Sequence, residues 1–398
     1  MRPAAPPVPA PACAQSTRAP SGAVEAGADA PTMERIGHLD GLRGVAILLV
    51  IGYHFFSRWV PPRSAQDLYP YGDVFARVPL FRFGDFGVEL FFVISGYVIA
   101  MTLFRCRSLG EFALRRFARL WPAMALCSLL TFLVLRALAA PPFAASALHF
   151  VPSLTFIDPV LFRAVTGNEG FDWMDGGYWS LFVEVRFYAF VALIYFASPA
   201  RFAPNLLHLG LASGALQILA YVLRSDGLRV LTQLLFVAPF LGWFLFGIAF
   251  FLMNRTGPSF RSFALLAVGA LQVALQALQD NSIPMAIAGG IIPLLFFGAF
   301  KLPKLQAMLS RPALRSIGAA SYSLYLLHEY IGVSLIGALG RATGLEHTPT
   351  AAALALVVGA ALVLFSLFVF RYWEAPLNRA IVAFGIRGRA PKARAAPH

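Results

Sequence analysis

The sequence predicts an all-α membrane protein, a polytopic bundle of about ten transmembrane helices with both termini on the cytoplasmic side. Three observations carry that expectation. Only 13% of the 398 residues are charged and 59% are hydrophobic, whereas a soluble domain carries roughly 25% charged residues. Mean hydropathy is +0.70. Long apolar runs recur along the whole chain, among them 45–56, 88–104, 182–197, 230–253 and 351–370. About 20 mostly apolar residues suffice for a helix to cross the hydrocarbon, and helices keep their backbone polar groups paired where there is no water.

In chain order, residues 1–33 are rich in Pro and Ala and lack the apolar core of a cleavable leader, so they read as a disordered cytoplasmic tail. Residues 34–376 form the membrane domain and 377–398 a basic cytoplasmic tail. The expected spans are 39–58, 86–104, 121–140, 178–197, 204–223, 230–253, 262–279, 284–300, 314–338 and 351–373, with Pro239 interrupting the sixth. With the N-terminus inside, nineteen Lys and Arg fall in the inner connections and tails and seven in the outer connections, the bias of the positive-inside rule. The net charge of +13 is then orientation signal and headgroup contact rather than a nucleic-acid surface. Cys13, Cys106 and Cys127 have no metal-ligand spacing.

Charged residues inside spans are costly and mark candidate chemistry. Arg43 and His54 lie eleven residues apart in the first span. That separation is about 1100° of helix, close to three turns and roughly 16 Å, so both share a face. Snorkelling of Arg43 and a satisfied core role for His54 are the plainer alternatives. In the second span Glu89 lies at a depth similar to His54, where it would orient the ring or complement a helix N-terminus. Residues 105–120 read as an inner connection bearing Arg115, Arg116 and Arg119, whose spacing makes them neighbours suited to phosphates or to anionic lipid. The fourth span opens on Trp179; Ser180, Glu184 and Tyr188 recur every four residues, with Arg186 facing elsewhere. Ser321, Tyr325 and His328 follow the i, i+4, i+7 pattern of one helix face in the ninth span. Arg371 and Glu374, three apart at the last span's end, read as a structural cap. The outer connection 141–177, with Asp158, Glu169, Asp172, Trp173 and Asp175, reads as a solvated loop.

In order, these stretches resemble the acyltransferase 3 family of integral membrane acyltransferases, over most of residues 33–376. The resemblance rests on Arg43 with His54, Gly87-Val-Glu-Leu-Phe-Phe-Val-Ile-Ser-Gly96, Arg116-x-x-Arg119 before Pro122, Tyr178-Trp-Ser-Leu181 with Glu184, Ser321-Tyr-Ser-Leu-Tyr-Leu-Leu-His328, and Glu374-Ala-Pro376. Relatives commonly carry a second carboxylate after the position of Glu184; this chain has Val185 there. The resemblance implies a bacterial-type cytoplasmic membrane enzyme that moves an acyl group, typically acetyl, from cytoplasmic acyl-CoA as co-substrate to a hydroxyl of a glycan, lipid-linked glycan or small-molecule acceptor. No permanently bound cofactor and no metal are expected. The hydrolase-like domain that some relatives carry after the last span is not expected either.

On that reading His54, Glu184 and Glu89 are the catalytic candidates, with Glu89 or Glu184 fixing the tautomer of His54. Arg43, Arg115, Arg116 and Arg119 are the acyl-CoA-binding candidates. Trp179, Ser180, Tyr188, Ser321, Tyr325 and His328 would line the substrate channel. The rival classes are a transporter or flippase with buried charges as a proton relay, and an acyl exporter serving a separate transferase.

Overall fold

The computed structural model describes residues 36–138, 142–346 and 348–387; the tail 1–33 and the end of the basic tail, 388–398, lie outside the described residues. The helices are α1 (Gly37–Phe56), α2 (Pro79–Arg82), α3 (Gly87–Leu103), α4 (Leu109–Ala137), α5 (Phe150–Thr155), α6 (Pro159–Thr166), α7 (Trp179–Ala197), α8 (Phe202–Val222) and α9 (Asp226–Phe236). They continue with α10 (Leu241–Thr256), α11 (Phe260–Gln279), α12 (Ile283–Lys301), α13 (Pro303–Leu309), α14 (Pro312–Ala319), α15 (Ser321–Leu327), α16 (Tyr330–Thr343), α17 (Ala352–Val369) and α18 (Ala375–Arg387). Among the described residues nine helical stretches are long and apolar enough to cross a bilayer, and eleven if two bent pairs each count as a span. The expected ten falls between.

Four departures from the sequence expectation bear on the site. The stretch 105–120 is helix from Leu109 onward, not a connection: Ser108 caps it by accepting from the Glu111 N–H at 3.2 Å, and the helix runs on through Pro122. Arg115, Arg116 and Arg119 therefore ride on a spanning helix. The connection 141–177 contains α5 and α6, which meet at 118°. The ninth span is not one helix, because α15 and α16 meet at 55° with His328 and Glu329 at the break. The last span passes through a π-helical turn, Phe370–Glu374, into α18, and such a turn shifts the phase of every residue beyond it.

Close helix approach replaces hydrophobic driving force where the solvent is itself apolar. The crossing of α3 and α10 shows how close. A Cβ on Gly96 would lie 2.2 Å from the Phe244 carbonyl oxygen, and one on Gly247 2.0 Å from that of Val93. Around the crossing Trp243 and Phe244 are fully buried and the Phe187 ring stacks on Phe244 with centroids 3.9 Å apart. By contrast α12 turns Ile287, Ile291 and Leu294 outward, each more than half exposed, a surface for lipid.

Leu at Gly96 or Gly247 must force the backbones apart, which costs about 1–3 kcal/mol or more. Fluorescence-detected size exclusion should show a lower yield of monodisperse protein and an earlier thermal transition for G96L and G247L. Gly290→Leu, where a Cβ would meet nothing within 4 Å, should match the parent.

Candidate active site

Five elements converge on one narrow cavity of about 90 Å³, and each brings polar side chains to it: Arg43 on α1, Ser95 on α3, Arg116 and Arg119 on α4, Ser180, Glu184 and Tyr188 on α7, and Ser321, Tyr322 and Tyr325 on α15. Phe91, Phe92 and Leu181 supply apolar wall. Eight candidates from the sequence thus meet in one place.

One end of the cavity is cationic. Arg43 pairs with Asp40 at 3.0 Å, one turn earlier on α1. Arg119 pairs with Glu374, which is 1% exposed and also accepts from Ser323 at 2.7 Å. The expected pairing of Glu374 with Arg371 does not form: the π turn directs Glu374 inward and leaves Arg371 exposed over the Tyr372 ring. Arg116 donates to the Thr102 hydroxyl, lies over the rings of Phe112 and Tyr188 at 5.5 and 5.2 Å, and keeps its Nε without a partner. Arg115 does not face the cavity; it pairs with Glu111 at 2.8 Å, one turn back.

Glu184 sits in mid-cavity and accepts from the hydroxyls of Ser95 and Tyr188. Arg186, two residues on, points elsewhere toward Asp158 at 3.7 Å. Trp179 lies beside the cavity, its ring 5.2 Å from that of Phe240.

At the far end the Ser180 and Tyr325 hydroxyls meet at 2.7 Å, and Tyr325 donates to the Gly177 carbonyl at 2.9 Å. One turn beyond Tyr325 begins a chain of ionisable groups. His328 Nδ1 faces the Tyr325 carbonyl at 2.8 Å. A carbonyl only accepts, so in neutral His328 the proton sits on Nδ1 and Nε2 holds a lone pair. His54 Nδ1 lies 2.9 Å from the Val50 carbonyl and 3.2 Å from that lone pair, so it carries a proton. These partners assign His54 Nε2 as the unprotonated nitrogen, and it faces Oε2 of Glu329 at 3.4 Å.

The carboxylate beside His54 is therefore Glu329, not Glu89 or Glu184. Glu89 is buried on α3 with Oε2 unpartnered, and Glu184 belongs to the middle of the cavity. The break between α15 and α16 brings Glu329 there. In a continuous helix adjacent residues point about 100° apart, so His328 and Glu329 would not both meet His54. Asp175 holds the break: its two oxygens accept from the Gly177 N–H at 2.9 Å and the Tyr330 N–H at 2.8 Å, at the starts of two helices. Burial, and then the neighbouring Glu329 carboxylate, raise the Asp175 carboxyl above the ordinary carboxylate range. The end of α1 is tied down as well: Tyr69 donates to the His54 carbonyl at 2.5 Å and Tyr71 to that of Phe55, two carbonyls that the helix itself leaves unpaired.

The sequence reading gave no role to Glu329 or Thr102, placed Asp175 in a solvated loop although it is fully buried, and missed the inward role of Glu374. Only Glu329 had a local signal, its place directly after His328 at the edge of an apolar run.

Residues 36–372 match the profile of an acyltransferase domain family. Among relatives, the chain is 26% identical to a peptidoglycan O-acetyltransferase of Listeria monocytogenes, OatA, over 86% of this chain and 55% of that protein. It is 29% identical to the exopolysaccharide production protein ExoZ of Rhizobium meliloti, over 78% of this chain and 96% of that one. It is also 25% identical to a putative O-acetyltransferase of Staphylococcus aureus, over 74% of this chain and 50% of that one. The chain thus spans about half the length of the Listeria and Staphylococcus relatives. No solved structure matches. With a profile match covering most of its length and a bundle of apolar spans around the motif residues, the chain belongs to the acyltransferase 3 family of integral membrane acyltransferases.

Proposed function

We propose that the protein is an O-acyltransferase of the bacterial cytoplasmic membrane that moves an acyl group, acetyl in the simplest case, from acyl-CoA to a hydroxyl of a glycan. The observation that supports this best is the order of groups along one line. Arginines stand at one end of a narrow cavity, hydroxyls line it, and two histidines with a carboxylate stand beyond its other end. In this reading the arginine end faces the cytoplasm, and the CoA phosphates meet Arg116 and Arg119. Arg116 is the readier of the two, since its described partners are a hydroxyl and two rings and its Nε is unpartnered. The names of the relatives favour an extracellular polymer as acceptor, peptidoglycan in one case and exopolysaccharide in another.

His54 acts as general base. Its Nε2 takes the proton of the acceptor hydroxyl as that oxygen attacks the thioester carbonyl. The tetrahedral intermediate then collapses, the C–S bond breaks, and the imidazolium returns the proton to the departing thiolate. Glu329 faces the nitrogen that becomes positive and stabilises it, while His328 holds the ring from the other side. At 3.4 Å the resting Nε2–Glu329 separation is wider than a strong charged hydrogen bond, which leaves the lone pair accessible to the hydroxyl. The Tyr325 and Ser180 hydroxyls stand at the far end of the cavity, and either donates to the oxyanion on exchanging its present acceptor for it.

His54→Ala should lower acyl transfer by about 10²–10⁴-fold, the range for loss of a general base, with the protein still folded in the membrane. Near-parental acylation by that variant would remove the assignment. Glu329→Gln should lower kcat by about 10–100-fold, as for loss of a charged hydrogen bond of about 1.5–3 kcal/mol.

Arg116→Ala should raise the KM for acyl-CoA by about 10–100-fold on the same reasoning with a smaller change in kcat; unchanged acyl-CoA affinity refutes the phosphate role. A different split is expected for Asp175→Ala. It leaves two helix-start N–H groups without their acceptor, at a cost of about 1–3 kcal/mol each. Thermal stability and kcat should both fall while the KM for acyl-CoA stays within about threefold, a margin of under 1 kcal/mol.

A further inference from the structure

A second cavity, about 690 Å³, shares no lining residue with the first and lies where the C-terminal ends of α8 and α11 meet the start of α9. It falls within the roughly 300–1,000 Å³ typical of small-molecule sites. Its lining is unusual for a membrane bundle: four glutamines, Gln217 from α8, Gln233 from α9, and Gln276 and Gln279 from α11, with hydroxyls beside them. Gln217 and Gln276 are 3% and 4% exposed, and among the described residues neither side-chain oxygen has a hydrogen-bond partner. The Gln217 amide nitrogen is committed to Gln272 and to Ser213, and Gln272 in turn donates to the Gly210 carbonyl at 2.6 Å. This network fixes the Gln217 amide and leaves its acceptor atom open. Unsatisfied buried polar atoms are costly, so a ligand that donates hydrogen bonds is favoured there.

The formal charges on the wall cancel: Arg224 and Arg229 against Asp226 and Asp280. An anion would meet the aspartates and a cation the arginines, which favours a neutral occupant. A hydroxyl both donates and accepts, and a side-chain amide matches it with both functions. Tyr221, 64% exposed at the rim, offers an aromatic face.

Packing contacts run from the wall of this cavity toward the reaction site. Ala238 and Pro239 line it, and the next residue, Phe240, packs on Trp179, which directly precedes Ser180. We infer that this cavity is a subsite for a neutral, hydroxyl-rich oligosaccharide, the part of the acceptor beyond the sugar being acylated. The choice of a sugar rests on the glycan-acyltransferase reading; the existence of a hydroxyl-binding cavity does not.

The test uses the full chain in nanodiscs with three neutral probes: chitotriose, cellotriose and maltotriose. Saturation-transfer NMR and calorimetry read binding, and melting temperature reads folding. At least one trisaccharide should bind the parent protein, and Gln276→Leu and Gln233→Leu should each weaken that binding at least tenfold with an unchanged melting temperature. Gln217→Leu should weaken it further, although its bond to Gln272 makes it the variant most exposed to misfolding. No binding by the parent, or parental affinity in both Q276L and Q233L, overturns the inference. Acyl-CoA binding by the parent in the same preparation reads the donor side separately, so its failure would count against the acyltransferase reading and not against the cavity.

Discussion

A helix that crosses a bilayer must keep its backbone N–H and C=O groups paired, so a break in one has to be held from outside. Here Asp175 does the holding. Its carboxylate bridges the N–H of Gly177, at the head of α7, and the N–H of Tyr330, at the head of α16. Two helix N-termini, each carrying partial positive charge, converge on one buried carboxyl group. The consequences run in both directions along the chain. On one side the bend frees His328 and Glu329 from the face rule of a continuous helix, and both reach His54. On the other it fixes the Gly177 carbonyl, which accepts from Tyr325 and sets the end of the cavity. One carboxylate thereby positions three side chains that it does not touch.

Charge is then sorted by how it is compensated. Arg43 and Arg119 each have a carboxylate, Asp40 and Glu374. Arg116 has a hydroxyl and two ring faces. In a medium of low dielectric the distinction is large, since an arginine already paired offers an incoming phosphate much less than one held by neutral groups. Glu184 is the anionic counterpart, kept in the bundle by two hydroxyl donors rather than by a cation. Between them Tyr188 touches both, donating to Glu184 and presenting its face to Arg116.

Most of the fold was legible because hydropathy is a long-range average: the spans fall where the apolar runs do. The site was legible where helical periodicity applies without interruption. The common face of Ser180, Glu184 and Tyr188 is real, and Ser321 and Tyr325 join it from α15. It was illegible where the helix departs from period. Glu329 adjoins His328 in sequence and would face away in an unbroken helix; the Arg371–Glu374 spacing implies a pair, which the π turn separates. The extent of α4 failed for another reason. Three arginines depress the local hydropathy, although the Ser108-x-x-Glu111 start signal was present at the true boundary.

The two histidines lie outside the cavity rather than in it. The cavity ends at the Ser180–Tyr325 hydroxyl pair, and His328, fully buried, stands one turn beyond. His54 is reached only through that layer or from the opposite surface, where its side chain is 12% exposed. On the proposed function an acyl thioester and an acceptor sugar have opposite needs: the thioester must be kept from water and the sugar arrives in it. A base with a narrow approach on one side and a small opening on the other meets both, provided the ring cannot turn. His54 is held through its Nδ1 by Val50 and His328 and through its own carbonyl by Tyr69, with Glu329 facing its Nε2. That restraint, more than the identity of any one carboxylate, is what the broken helix and the tyrosine-clamped end of α1 together provide.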